Sequence, residues 1–358
     1  MNSVVIRVDA SVWIGSGHVM RCLVLADSLN RFGYSVRFAC LEQEGDMIGY
    51  IEQRCYKVIK LTPPDMFQIP KYSSDYEAWL HKSPLEDASD FLKSIKNTDL
   101  VITDHYGIGK SWHNIVKVEL SCLIVAIDDL VREHNADLII DQTLGRVADE
   151  YKTKGRVLSG TKYALLNDSF AVARPQAEKR RFCLTKPKVM ISMGGIDRPN
   201  ATISVLKSLV GSVQAEFTIL LSKRAPHYQE VTDWCSQYDD VHHIEFVEDM
   251  AAIMLEHDIA IGAPGSTSWE RACLGLPSII ISLADNQREI CKQLVHHGAV
   301  IEVKLDDIAE QIPGAFNMIS TNWTEFSRRN LFLCDGKGTA RVTAEIMRLM
   351  NGNNHYLQ

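Results

Sequence analysis

The sequence predicts an α/β protein made of two doubly wound, Rossmann-like domains. Three observations carry that expectation. The chain has 358 residues, enough for two domains at about 100–200 residues each. Short β-branched runs alternate with segments of helical period along its whole length, which is how parallel strands covered by helices read. The runs also fall into two series, separated by the polar, charged segment QAEKRRFCLTKP (176–187).

The first series consists of VVIRV (4–8), VRFAC (36–40), VIKL (58–61), LVITD (100–104) and LIVAID (123–128). Between the first two lies HVMRCLVLADSLNRFG (18–33), where Val19, Cys22, Leu23, Leu25, Ala26 and Leu29 form an apolar helical stripe and Gly33 suits the C′ position. Pro63, Pro64, Pro70 and Pro84 predict irregular structure with short helices over 62–98. The second series is VMISM (189–193), FTILLS (217–222), HIEFV (243–247), IAIGA (259–263), SIIISL (278–283) and AVIEV (299–303). Helical segments near 200–211, 226–237, 266–275 and 286–297 fit between these strands. The expected domains are 1–170 and 171–358, with a linker near 170–187. A helical tail near 339–351 is free to pack back across either domain. Tandem domains of this kind place a ligand cleft between them, because each sheet binds at the carboxyl ends of its strands.

Composition narrows the class. Apolar residues make up 46% and charged residues 23%, which excludes wholesale disorder, a collagen-like fibre and a membrane bundle. The formal charge of −7 offers no net attraction for nucleic acid or an anionic membrane. No run approaches the roughly 20 apolar residues of a membrane span, and the N-terminal run is flanked by Arg7 and Asp9, unlike a signal peptide. The nine cysteines contain no C-x-x-C pair and no metal-ligand spacing. Free thiols in a reducing cytoplasm are the expectation. The composition points to a soluble enzyme with no nucleic-acid or membrane partner.

Chemistry is expected at the strand ends. RVDASVWIGSGHVMRC (7–22) is a strand, a loop carrying Gly15 and Gly17, then a helix opening near His18. At a helix N-terminus the macrodipole biases an imidazole toward its neutral, base-competent form, which suits general-base activation of water. A capping His fits the same spacing. Arg21, one turn later, fits a phosphate contact or a solvated side chain. Asp104 and His105 end an apolar strand ahead of Tyr106 and Gly107. The Asp128–Asp129 pair in AIDDL (126–130) also ends a strand and fits a cation contact or the orienting of a base, but reads first as ordinary turn and cap chemistry. In the second half, SMGGID (192–197) exposes the backbone of Gly194 and Gly195 before a helix, and IGAPGSTSWE (261–270) places Ser266 and Thr267 at another helix start. Two such anion seats predict a diphosphate, held without net positive charge. Glu270, about one turn into its helix, suits ribose hydroxyls. Asn286 and Gln287 in ADNQ (284–287) fit either a sugar or phosphate contact, or a cap.

These pieces, in this order, resemble the UDP-sugar hydrolases of pseudaminic acid biosynthesis, a branch of the GT-B superfamily. The resemblance is carried by R-x-D-x(5)-G-x-G-H-x-x-R (7–21), DHYGI (104–108), YALLNDSF (163–170), MGGID (193–197), GSTSWE (265–270) and ADNQ. It implies the GT-B fold and hydrolysis of UDP-2,4-diacetamido-2,4,6-trideoxy-β-L-altropyranose to UDP and the free sugar, with no metal and no other cofactor. His18 would activate water. Asp9, Gly17, Arg21, Asp104, Tyr106, Asn286 and Gln287 would bind the sugar side, and Gly194, Gly195, Ser266, Thr267 and Glu270 the UDP. The alternatives are a GT-B glycosyltransferase that uses an acceptor in place of water, and a non-catalytic nucleotide-sugar-binding subunit.

Overall fold

The computed structural model describes residues 2–72, 74–183, 185–284 and 287–354. Asn286 lies outside these residues, so the expectation placed on it receives no structural account. The chain divides into two compact units. One runs to Leu165 and resumes at Lys337, and the other is Leu166–Gly336.

The first unit holds seven strands: β1 (Ser3–Val8), β2 (Ser35–Leu41), β3 (Lys57–Leu61), β4 (Leu100–Asp104), β5 (Leu123–Ile127), β6 (Leu138–Asp141) and β7 (Arg156–Ser159). They form one sheet in the order β3-β2-β1-β4-β5-β6-β7, parallel throughout. The apolar run of β1, broken only by the buried and paired Arg7 after Ser3, follows from helices on both faces. Val4, Ile6 and Val8 pack in one core with Val19, Leu23 and Leu29 of the helix Gly17–Arg31. Val5 points the other way, into a core with Phe91 and Trp112. The final helix, Gly338–Asn354, belongs to this unit, where Val342, Ile346 and Met350 join the first of these cores.

The second unit holds six strands: β8 (Lys188–Ser192), β9 (Glu216–Leu220), β10 (Val241–Ile244), β11 (Ile259–Gly262), β12 (Ser278–Ile280) and β13 (Val300–Glu302). Their order is β10-β9-β8-β11-β12-β13, again parallel. The segment read as the start of a linker is instead helix, Asp168–Ala177, within this unit. Arg174 fixes it by donating to the carbonyls of Cys273, Leu331 and Cys334.

Strand order reverses between β1 and β4 in the first sheet and between β8 and β11 in the second. Loops leaving the carboxyl ends of such neighbours part to either side, and the crevice between them is where doubly wound sheets bind ligands. Gly262 shows how tightly β8 and β11 meet. A Cβ there would lie 2.3 Å from the Ser192 carbonyl oxygen and 2.8 Å from Arg271 Nη1. Gly262→Ala is therefore expected to lose about 3 kcal/mol of stability through strand displacement. Urea unfolding of the full chain, followed by tryptophan fluorescence, measures it.

Candidate functional site

In the first unit the register sets Asp104 beside Val8, so the β4 carboxylate stands next to the loop leaving β1. That loop is a tight turn: Gly15, at φ +77°, donates to the Ser11 carbonyl, and the Ser11 hydroxyl accepts from the Trp13 and Ile14 amides. The turn delivers Gly17 and His18 as the first residues of the helix. His18 is 8% exposed, with Nδ1 2.6 Å from Asp104 Oδ1.

Asp104 is fully buried. Burial alone would push its carboxyl up, but Arg21 and then His18 outweigh burial and hold it well below the ordinary carboxylate range. An ionised carboxylate only accepts hydrogen bonds, so the short contact is an Nδ1–H donated by His18. In the neutral ring this tautomer leaves Nε2 with its lone pair, the arrangement a general base requires.

Arg21 closes the cluster from the helix. Its Nε and Nη2 donate to Asp104 at 2.6 and 2.7 Å, and its Nη1 donates to Asp129 at 2.7 Å. Tyr106 donates to the same Asp129 oxygen at 2.9 Å, and the His18 and Tyr106 rings meet edge to face at 4.7 Å. Trp79 stacks on Tyr106, and Arg132 lies over its ring.

Several expectations change here. Arg21 and Asp104, expected to face substrate, spend their polar atoms on each other, on His18 and on Asp129 inside the unit. Asp9 does not join them. Its carboxylate accepts the Leu41 amide at 2.8 Å and pairs with the buried Arg7 at 2.6 Å. The AIDDL pair splits in role. Asp128 anchors its own loop through the Arg132 amide and guanidinium, whereas Asp129 belongs to the His18 cluster. A turn reading of adjacent aspartates missed it, because only the fold brings Asp129 to Arg21.

The second unit presents the loops after β8 and β11 side by side. Gly194 is exposed at φ +86°, and a Cβ there would meet nothing within 4 Å, so its surroundings are open. The helix that follows, Ala201–Leu209, offers no anion seat at its start. Asp197 has folded back, and its carboxylate accepts the Ala201 and Thr202 amides at 2.9 Å each. The protein's own anion occupies that end, and any diphosphate contact on this side is left to the glycine backbone.

The helix Ser266–Cys273 begins differently. No side chain caps it from the preceding Gly265, and Ser266 and Thr267 are partly exposed in its first turn. Ser268 is buried and used internally, with Oγ accepting from the Gly265 amide and from Arg271. Gln287 acts as a brace: its Oε1 accepts the Leu283 amide at 2.8 Å.

Glu270 Oε2 is buried without a hydrogen-bond partner, and burial pushes the carboxyl up to about 7 against the opposing pull of Arg271. In the unfolded chain this group ionises near 4.5. The folded state therefore binds more protons between about pH 4.5 and 7, and stability falls as pH rises through that window. Glu270→Gln is expected to match the parent below pH 4.5 and to exceed it by roughly 1–3 kcal/mol above pH 7. Thermal unfolding of both proteins across that range measures the difference.

The comparisons with known proteins agree with this architecture. Residues 157–322 match the glycosyltransferase family 28 C-terminal domain. The chain superposes on MurG of Acinetobacter baumannii with a TM-score of 0.66 at 14% identity, covering 97% of this chain and 100% of that one. With CalG4, the calicheamicin glycosyltransferase, the TM-score is 0.68 at 12% identity, covering 98% of each. The chain has the GT-B fold. Among sequences, this GT-B protein is 25% identical over 305 residues to the UDP-2,4-diacetamido-2,4,6-trideoxy-β-L-altropyranose hydrolase of Campylobacter jejuni, covering 84% of this chain and 99% of that one. It is 24% identical to the spore coat polysaccharide biosynthesis protein SpsG of Bacillus subtilis, over 77% of this chain and 87% of that one. It is 27% identical to protein MJ1062 of Methanocaldococcus jannaschii over 80% of its own length, and spans 57% of that relative. The resemblance drawn from the motifs is thus matched by similarity along most of the chain.

Proposed function

We propose that the protein hydrolyses a UDP-linked sugar, UDP-2,4-diacetamido-2,4,6-trideoxy-β-L-altropyranose, to UDP and the free sugar. One observation supports the base role: His18 Nδ1 lies 2.6 Å from the ionised Asp104 carboxylate, a contact that in the neutral ring leaves Nε2 free to take a proton. Similarity to the C. jejuni hydrolase supports the choice of substrate.

In this reading a water molecule gives a proton to His18 Nε2 as its oxygen bonds to the anomeric carbon. The bond from that carbon to the diphosphate oxygen breaks, and its electron pair leaves with UDP. The imidazolium formed on His18 is stabilised by Asp104, already ionised and in contact. The departing diphosphate charge falls to backbone donors, namely the glycine loop at Gly194–Gly195 and the helix start at Ser266–Thr267, assisted by the helix dipole. Glu270, with an unpartnered oxygen one turn on, accepts from the ribose hydroxyls. Tyr106 shapes the sugar side, with Gly17 leaving room at the helix start and Gln287 holding the loop after β12. Direct attack by water inverts the anomeric centre.

The second reading, a glycosyltransferase, draws on the match to the family 28 domain and on the solved neighbours. In that case His18 deprotonates a sugar or lipid hydroxyl in place of water. Incubating the purified protein with the UDP-sugar and no acceptor separates the two. Stoichiometric UDP release supports hydrolysis, and release only after an acceptor is added supports transfer.

A further inference from the structure

We propose that Arg21 and Asp129 together set how strongly the His18 ring holds a proton, and so the pH range over which it acts as a base. The idea rests on the base role given to His18 above. The decisive atom is Asp104 Oδ1, which accepts from His18 Nδ1 at 2.6 Å and from Arg21 Nη2 at 2.7 Å. Imidazole and guanidinium share one acceptor. Arg21 Nη2 also sits 3.4 Å from His18 Nδ1, where a guanidinium and an imidazolium repel strongly in so dry a place. Asp129 draws Arg21 the other way through Nη1 and is itself steadied by the Tyr106 hydroxyl.

The charge count gives the consequence. The groups facing the ring are Asp104 at the end of β4, Arg21 on His18's own helix, and Asp129 from the loop after β5, reached through Arg21. Burial pushes the Tyr106 hydroxyl and the Cys22 thiol up and the His105 ring down, to about 4 for His105, so all three are neutral near pH 7. With His18 neutral the cluster sums to one negative charge, and the imidazolium brings it to zero. The charge acquired on taking a proton is matched, while Arg21 opposes its arrival by repulsion across 3.4 Å. Without Arg21 two negative charges face the ring and it holds its proton. Without Asp129 the net charge is zero and the ring's affinity for the proton falls. Arg21 and Asp129 are positioning residues in this account, since both act on the His18 ring through Asp104 and through each other.

Proton NMR titration of the His18 ring in the full chain, without substrate, tests this on the parent, Arg21→Met and Asp129→Asn. The signal is assigned by its loss in His18→Gln. The midpoint is expected to rise by about one pH unit or more in Arg21→Met and to fall by about half a unit in Asp129→Asn. Opposite displacements support the proposal, and equal-signed or absent displacements overturn it. If Arg21→Met does not fold, Asp129→Asn decides alone: a fall supports, and no change or a rise overturns. The titration needs no turnover. If the parent releases no UDP, the functional reading fails while this result still stands or falls by itself. Where UDP is released, the acid limb of the rate profile is expected to move with the NMR midpoint.

Discussion

His18→Ala is expected to lower UDP release by about 10²–10⁴-fold while leaving UDP affinity unchanged. The separation is the point of the experiment. The proton acceptor is in the first unit, on the helix Gly17–Arg31, whereas the proposed nucleotide contacts at Gly194, Gly195, Ser266, Thr267 and Glu270 belong to the second. Calorimetry with UDP and a coupled assay for UDP release, run on the same preparation, read the two quantities independently. An activity near that of the parent removes His18 from the chemistry. A parallel loss of UDP binding assigns the effect to structure instead.

Asp104→Asn is expected to be nearly as damaging to turnover, by about 10²–10⁴-fold, and to add a loss of stability. An asparagine amide turned toward His18 donates where the carboxylate accepted, which drives the ring to the tautomer with Nε2 protonated and removes the base. The same change removes the charge that Arg21 pairs with and leaves its Nη2 without an acceptor, because Nη2 shares with His18 the oxygen that the amide nitrogen replaces, while Nε keeps the remaining oxygen and Nη1 keeps Asp129. Breaking one partner of a buried ion pair costs about 3–5 kcal/mol, and the Asp129 contact that survives puts the expected loss toward the lower end. Urea unfolding gives the stability term and steady-state kinetics give the catalytic one. Asp104→Glu, keeping the charge with a longer reach, is expected to recover stability more fully than rate, because the carboxylate no longer meets Nδ1 in the same line.

Much of the architecture was legible because parallel strands covered on both faces are apolar without a break. IAIGA announces itself for that reason, and VVIRV does so despite Arg7, which is buried in pairs with Asp9 and Asp87. The strands β6 and β7 went unread in the sequence. Each is four residues long, and β7 begins at the exposed Arg156 on the sheet edge, so neither gives a long apolar run. At the site, sequence placed His18 at a helix start and Asp104 at a strand end. It could not show that they touch, because 86 residues separate them and only the β1–β4 pairing closes the distance. The same gap explains why Arg21 and Asp104 were assigned to substrate. A charged residue near a candidate site looks free until its partner is known. Asp197 gave no capping signal, because Asn200 and not Asp197 directly precedes the helix; its carboxylate reaches the Ala201 and Thr202 amides only through the turn of the intervening chain, so the glycines were read as a phosphate seat. Glu270 was placed correctly one turn into its helix, but its enclosed, unpartnered oxygen is a property of packing that no spacing reveals.

The central claim is that water accepts the sugar. Anomeric-proton NMR during incubation of the purified protein with UDP-2,4-diacetamido-2,4,6-trideoxy-β-L-altropyranose tests it most directly. The account predicts loss of the UDP-linked anomeric signal, growth of free-sugar signals starting from the inverted anomer, and no need for an acceptor. An unchanged UDP-sugar spectrum, or a new glycosidic signal only when an acceptor is supplied, contradicts it.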